Sequence, residues 1–108
     1  MISVVISKQK DKYIGVSLNG HAGYADHGQD IVCSAVSFLV INTFNSIERF
    51  TDDAFSCEAA EDGGYMSMTF SEDISDRAQL LLDSMMLGLD EIHKQYGDEY
   101  ISLQYKEV

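Results

Sequence analysis

The chain has 108 residues, 45% of them hydrophobic, and carries 18 acidic against 7 basic side chains, a formal net charge of −11. That length predicts one domain (1–108) with no room for a second core, and the composition excludes a disordered chain. The charge excludes unaided nucleic-acid binding, which draws on Lys and Arg to neutralise phosphates, and favours encounter with a basic partner.

Proline is absent, so glycine and small polar residues must mark the ends of helices and strands. Ile2, Val4 and Ile6 alternate with Ser3, Val5 and Ser7, as in a half-buried strand. After a charged turn over Lys8–Lys12, Ile14, Val16 and Leu18 alternate with Gly15 and Ser17 and complete a hairpin. Asp30 suits a helix N-cap, and the helix behind it is predicted from about Ile31 to Phe50. It is apolar on most sides, including Val32, Val36, Phe38, Val40, Ile41, Phe44 and Ile47. Such a helix must be sandwiched within the fold or meet a second subunit. Phe55, Cys57 and Ala59 read as one face of a further strand, Asp62-Gly63-Gly64 as a turn, and Met66, Met68 and Phe70 as the return strand. Cys57 is therefore expected to be inert core. Ser71, with Glu72 and Asp73 behind it, predicts the start of a second helix. Its one apolar stripe runs from Ile74 through Ala78, Leu81, Met85, Leu89 and Ile92 to Tyr96, and Gly97 ends it. Ile101, Leu103 and Tyr105 mark a last strand. The order strand-strand-helix-strand-strand-helix-strand predicts an α+β two-layer sandwich, its helices packed on a mixed or antiparallel sheet.

Two cysteines are too few for a disulfide framework, and no charged, apolar leader opens the chain. The longest unbroken apolar run, Phe38 to Ile41, falls short of the roughly 20 residues that span a bilayer. No membrane association, free thiols and a cytoplasmic location are the expectation.

Residues able to do chemistry concentrate between Gly20 and Ser37. Cys33 falls in the first turn behind Asp30, where the helix dipole and free N–H groups favour a thiolate. His21 upstream supplies an imidazole able to take the thiol proton. Taken alone, Cys33 also fits a small buried hydrophobe and His21 an exposed loop residue. Ser37, four residues beyond Cys33, lies on the same helix face. Gly20, Gly23 and Gly28 give the intervening loop freedom to close over a peptide, or merely to connect. His27 is a second possible base. With His21, Asp26 and Cys33 it would make a mixed metal set, but the spacing His-x5-His-x5-Cys matches no paired zinc pattern, so no metal is expected. His93, in the last turn of the second helix, reads as a dipole partner.

Gly20-His21-Ala22, then Gly28-x-Asp30-Ile31-Val32-Cys33, then Ser37, resembles the ribosomal-processing cysteine protease family known as Prp, and the likeness covers essentially the whole chain. The resemblance implies an intracellular cysteine endopeptidase that uses no cofactor. In it His21 is the general base and Cys33 the nucleophile. Asp30 and Ser37 support them, and Gly20, Ala22, Gly23, Tyr24 and Gly28 belong to the loop beside the substrate. It implies as substrate the precursor of large-subunit ribosomal protein twenty-seven, whose short N-terminal extension is removed, and it implies a homodimer. Family substrates place a hydrophobic, Phe-containing segment before the cut, so an apolar groove is expected beside Cys33. N–H groups at the start of the helix, that of Cys33 included, are expected to hold the oxyanion. The rival reading is a non-catalytic, dimeric, acidic module that docks on a basic ribosomal protein or an assembly factor, with Cys33 as a packing residue.

Overall fold

Lys10 and Asp11 both adopt positive φ, 50° and 68°, the conformation of a tight two-residue hairpin turn. They join β1 (Ile2–Gln9) to β2 (Lys12–Asn19) in a computed structural model that describes residues 1–26 and 29–108. The chain continues as α1 (Ile31–Phe50), β3 (Phe55–Ala59), β4 (Tyr65–Phe70), α2 (Asp76–Tyr96) and β5 (Ile101–Glu107). The strands form one five-stranded sheet in the order β3-β4-β2-β1-β5. Among the described residues only β1 and β5 run parallel; the other pairs are antiparallel. The α+β sandwich and its element order are those expected from the pattern of strands and helices.

Register carries the apolar face across the sheet. Val4 pairs with Leu18 and Leu18 with Met66; Ile6 pairs with Val16 and Val16 with Met68; Ile2 pairs with Ile101. These residues share one core with Val32, Val36, Val40 and Ile47 of α1 and Leu82, Met85 and Leu89 of α2, so both helices lie on the same side of the sheet. Burial of apolar surface in this layer, at about 25 cal/mol per Å², is the main force holding it. The helices approach closely at Gly88, where a Cβ would stand 2.7 Å from Leu39 Cδ2.

Four details depart from the sequence expectation. A register shift pairs Ser7 with Gly15 but Lys8 with Tyr13, leaving Ile14 as the extra residue of a bulge. Tyr13 therefore turns to the helix side, where it is buried and its hydroxyl donates to Asp83 Oδ1 at 2.6 Å, and Ile14 is only half-buried. The second helix starts at Asp76, not near Ser71. The Ser71 N–H donates to the Ala54 carbonyl at 3.0 Å, Ile74 is buried ahead of the helix, and Ser75 is the N-cap, itself held by Asp53. Cys57 is exposed: it stands on the apolar side of β3, but β3 is the sheet edge and the helices do not cover it. Finally, α1 is not sandwiched within the fold, the first of the two alternatives for it: the chain covers its inward face only. Phe38 is 74% exposed, and Ile41 of α1 and Leu80 and Leu87 of α2 are also open to solvent.

By length and composition alone α1, with a hydropathy of 1.5, would suffice to cross a membrane. The unbroken-run criterion missed this because Ser, Thr and Asn are interspersed along it. Here its Val32, Val36, Val40, Phe44 and Ile47 are core residues of the sandwich.

Candidate active site

The site forms where the end of β2, the start of α1 and the β3–β4 turn meet. Gly20 follows β2 with φ +96°, and a Cβ there would stand 2.4 Å from the Met1 carbonyl oxygen, so only glycine fits. Its N–H donates to the Gly64 carbonyl at 2.8 Å, which ties the root of the loop to the β3–β4 turn. His21 is exposed beyond it. Ala22 is buried, and its backbone N–H donates to Cys33 Sγ at 3.1 Å. One peptide unit thus links the residue after His21 to the cysteine sulfur.

Cys33 sits half-buried in the first turn of α1. Asp30 caps that helix from a buried position: its Oδ1 accepts the N–H groups of Val32 and Cys33, each at 3.0 Å, and its Oδ2 accepts that of Tyr24 at 2.9 Å. Burial pushes the Asp30 carboxyl up, but the N–H groups of Cys33, Tyr24 and Ala25 outweigh it and hold the group below the usual carboxylate range. The Cys33 thiol moves the other way. Burial raises it, the Ala22 N–H opposes, and the neighbouring Asp30 charge adds to the rise. This departs from the expectation of a helix-stabilised thiolate: burial comes first, and the carboxylate that caps the helix adds to it. It also removes the Cys33 N–H as an oxyanion donor. The side chain of Asp30 occupies it, and the Ser34 N–H goes to the Asp30 carbonyl at 3.0 Å.

A cleft of about 570 Å³ opens at the sulfur. Ile2, Leu18, Val36 and Met66 make its apolar part, and His21, Cys33, Ser34, Ser37 and Asp62 its polar part. Gly20 and Gly23 line it as well. Of the other loop residues, Ala22 is packed beneath, against the core. Tyr24 turns its ring edge-on against Tyr96 (5.5 Å between centroids) and Tyr100 (5.2 Å). Gly28, assigned to the loop beside the substrate, and His27 lie outside the described residues. Among the described residues no three His, Cys, Asp or Glu side chains converge as metal ligands. Asp62 had no signal in the sequence beyond a turn-forming Asp-Gly-Gly; the pairing of Asn19 with Tyr65 and the Gly20 N–H bond to the Gly64 carbonyl bring its turn beside the His21 loop.

Comparison with known proteins agrees with this chemistry. Residues 1–102 match the family described as cysteine protease Prp. The chain is 34% identical over 103 residues to the ribosomal processing cysteine protease Prp of Bacillus subtilis, covering 91% of this chain and 92% of that protein. It superposes with a TM-score of 0.93, at 32% identity, on the essential ribosomal processing protease Prp from Staphylococcus aureus bound to a covalently linked product peptide, covering 98% of this chain and 100% of that one. The same protease in complex with a substrate peptide gives 0.86 at 31% identity, with the same coverage.

Proposed function

This chain belongs to the Prp family of cysteine proteases, and on that premise we propose that His21 and Cys33 work as a Cys–His dyad that removes the N-terminal extension of the precursor of large-subunit ribosomal protein twenty-seven. The bond that supports the dyad best is the one from the Ala22 N–H to Cys33 Sγ, 3.1 Å long, which fixes the sulfur beside the residue that follows His21. Both side chains line the same cleft.

In the free enzyme the raised thiol holds its proton. His21 takes that proton as the sulfur attacks the scissile carbonyl, so charge separates only when a substrate is present. The oxygen of the tetrahedral adduct forms next to the sulfur, within reach of the Ala22 N–H that already points there. The imidazolium then protonates the leaving amine as the C–N bond breaks. Water attacks the thioester, giving one proton to His21, and the thiol is restored as the acid leaves. The apolar part of the cleft, Ile2, Leu18, Val36 and Met66, suits a hydrophobic segment before the cut. A net charge of −11 suits a basic chain beyond it. Ser37 borders the cleft one turn past Cys33, where it supports substrate binding.

The uncovered face of α1 and α2, with Phe38, Ile41, Leu80 and Leu87, packs against a second copy of the chain in a homodimer. A reducing cytoplasm keeps both thiols free.

Incubating purified enzyme with an N-terminally extended substrate tests the dyad. Wild type should release the extension, while Cys33→Ala and His21→Ala, folded by circular dichroism, should leave it intact. Substantial turnover by Cys33→Ala would exclude Cys33 as the nucleophile.

A further inference from the structure

We propose that Asp62 is a positioning residue for His21, an inference that rests on His21 being the base of the dyad. The turn that carries Asp62 is fixed to the His21 loop by the Gly20 N–H, which donates to the Gly64 carbonyl at 2.8 Å, and by the pairing of Asn19 with Tyr65. Within the turn, Asp62 Oδ1 accepts the Gly64 N–H at 2.8 Å, so the carboxylate has one preferred direction. The position where a Cβ would stand on Gly64 is 3.2 Å from Asp62 Oδ1 and 3.2 Å from His21 Nε2. Imidazole and carboxylate thus flank the same glycine, on the side that faces the cleft. The absence of a side chain at Gly64 is what lets the ring lie there.

A carboxylate beside an imidazole favours the protonated ring. It therefore stabilises the imidazolium that appears when the Cys33 proton moves, and holds the ring in place while it does. Asp30 is poorly suited to this role, since both its oxygens are engaged by backbone N–H groups. Among the described residues, the other ionisable groups at the site are Asp30 and Cys33 from the start of α1, and the Met1 ammonium, which favours the Cys33 thiolate from the start of β1. Asp62 is exposed, so solvent screens its effect to the size of a surface pair.

Asp62→Asn tests this cleanly, because the amide oxygen still accepts the Gly64 N–H and the turn is kept while the charge is lost. For cleavage of an extended peptide we expect kcat to fall roughly two- to fivefold with KM unchanged. Asp62→Glu should recover part of the rate. Wild-type kcat in Asp62→Asn, with His21→Ala inactive, would overturn this role alone. So would a rise in KM with kcat unchanged, which would make Asp62 a substrate contact. Cleavage by His21→Ala at the wild-type rate would remove the dyad, and this inference with it.

Discussion

Asp30 accepts the backbone N–H of Cys33 at 3.0 Å with the oxygen that also accepts Val32, while its second oxygen takes the N–H of Tyr24. One carboxylate therefore starts the helix, seats the cysteine and anchors the loop. Asp30→Ala should cost about 1–2 kcal/mol through the lost cap. Because its folded pKa lies below that of the unfolded chain, this stabilisation is present above the usual carboxylate range and disappears as pH falls through the folded value. Urea titrations of wild type and Asp30→Ala should accordingly draw together as pH falls through and below the usual carboxylate range. A stability gap that stays constant across that range would show that the charge of Asp30 contributes nothing.

Burial and Asp30 both push the Cys33 thiol up, so alkylation of Cys33 by iodoacetamide should be slow at neutral pH. Its rate should rise with an inflection above about 8.5, the ordinary cysteine value. Mass spectrometry distinguishes the two thiols, and the exposed Cys57 should be labelled first at neutral pH, although burial and Glu48 raise its thiol too. An inflection for Cys33 below neutrality would mean a preformed thiolate–imidazolium pair instead.

Tyr24 fastens the loop to the far end of α2, its ring edge-on to Tyr96 and Tyr100. Aromatic contacts of this kind are worth about 0.5–1.5 kcal/mol each beyond area burial. Tyr24→Ala should speed amide exchange and proteolysis in the loop and lower kcat/KM, while Tyr24→Phe should behave like wild type. Equal loop protection in all three proteins would show that the ring has no such hold.

Phe38 and Leu87 stand on the uncovered face of the helix layer, 74% and 66% exposed. Introducing charge with Phe38→Glu or Leu87→Glu should give a folded monomer in sedimentation experiments where the wild type sediments as a dimer. A wild type that stays monomeric up to high micromolar concentration would leave that face without a second copy.

The helix from Ile31 to Phe50 and its Asp30 cap were legible because a polar capping residue and a long apolar stretch are local signals. Gly97 ended α2 for the same reason, its left-handed φ of 93° being easiest for glycine. What the sequence concealed is set by distant partners. Ser71 has the composition of an N-cap but gives its N–H to Ala54, and Ser75 takes the role because Asp53 reaches it from across the connection. Alternation put Cys57 on the correct side of its strand but carries no information on whether a helix covers that edge. The bulge that sends Tyr13 inward is invisible in a period-two pattern. At the site, His21 and Cys33 stand out as residue types, but the direction of the thiol shift is set by burial and the neighbouring Asp30 charge, which only the fold reveals. The turn of Asp62 comes beside the His21 loop through partners distant in sequence, Asn19 with Tyr65 and the Gly20 N–H with the Gly64 carbonyl.

The parallel pairing of β1 with β5 joins Ile2 to Ile101, contacts between the two extremes of the chain. Closing so long a loop is entropically costly and slow, and it has to precede the reward of the contacts it makes. Ile2 is also part of the cleft wall, and the Met1 carbonyl packs against Gly20 at the root of the His21 loop. A nascent or partly unfolded chain in which β5 has not docked therefore lacks a settled wall on one side of the cysteine. Order at the cleft is in this way tied to completion of the sheet.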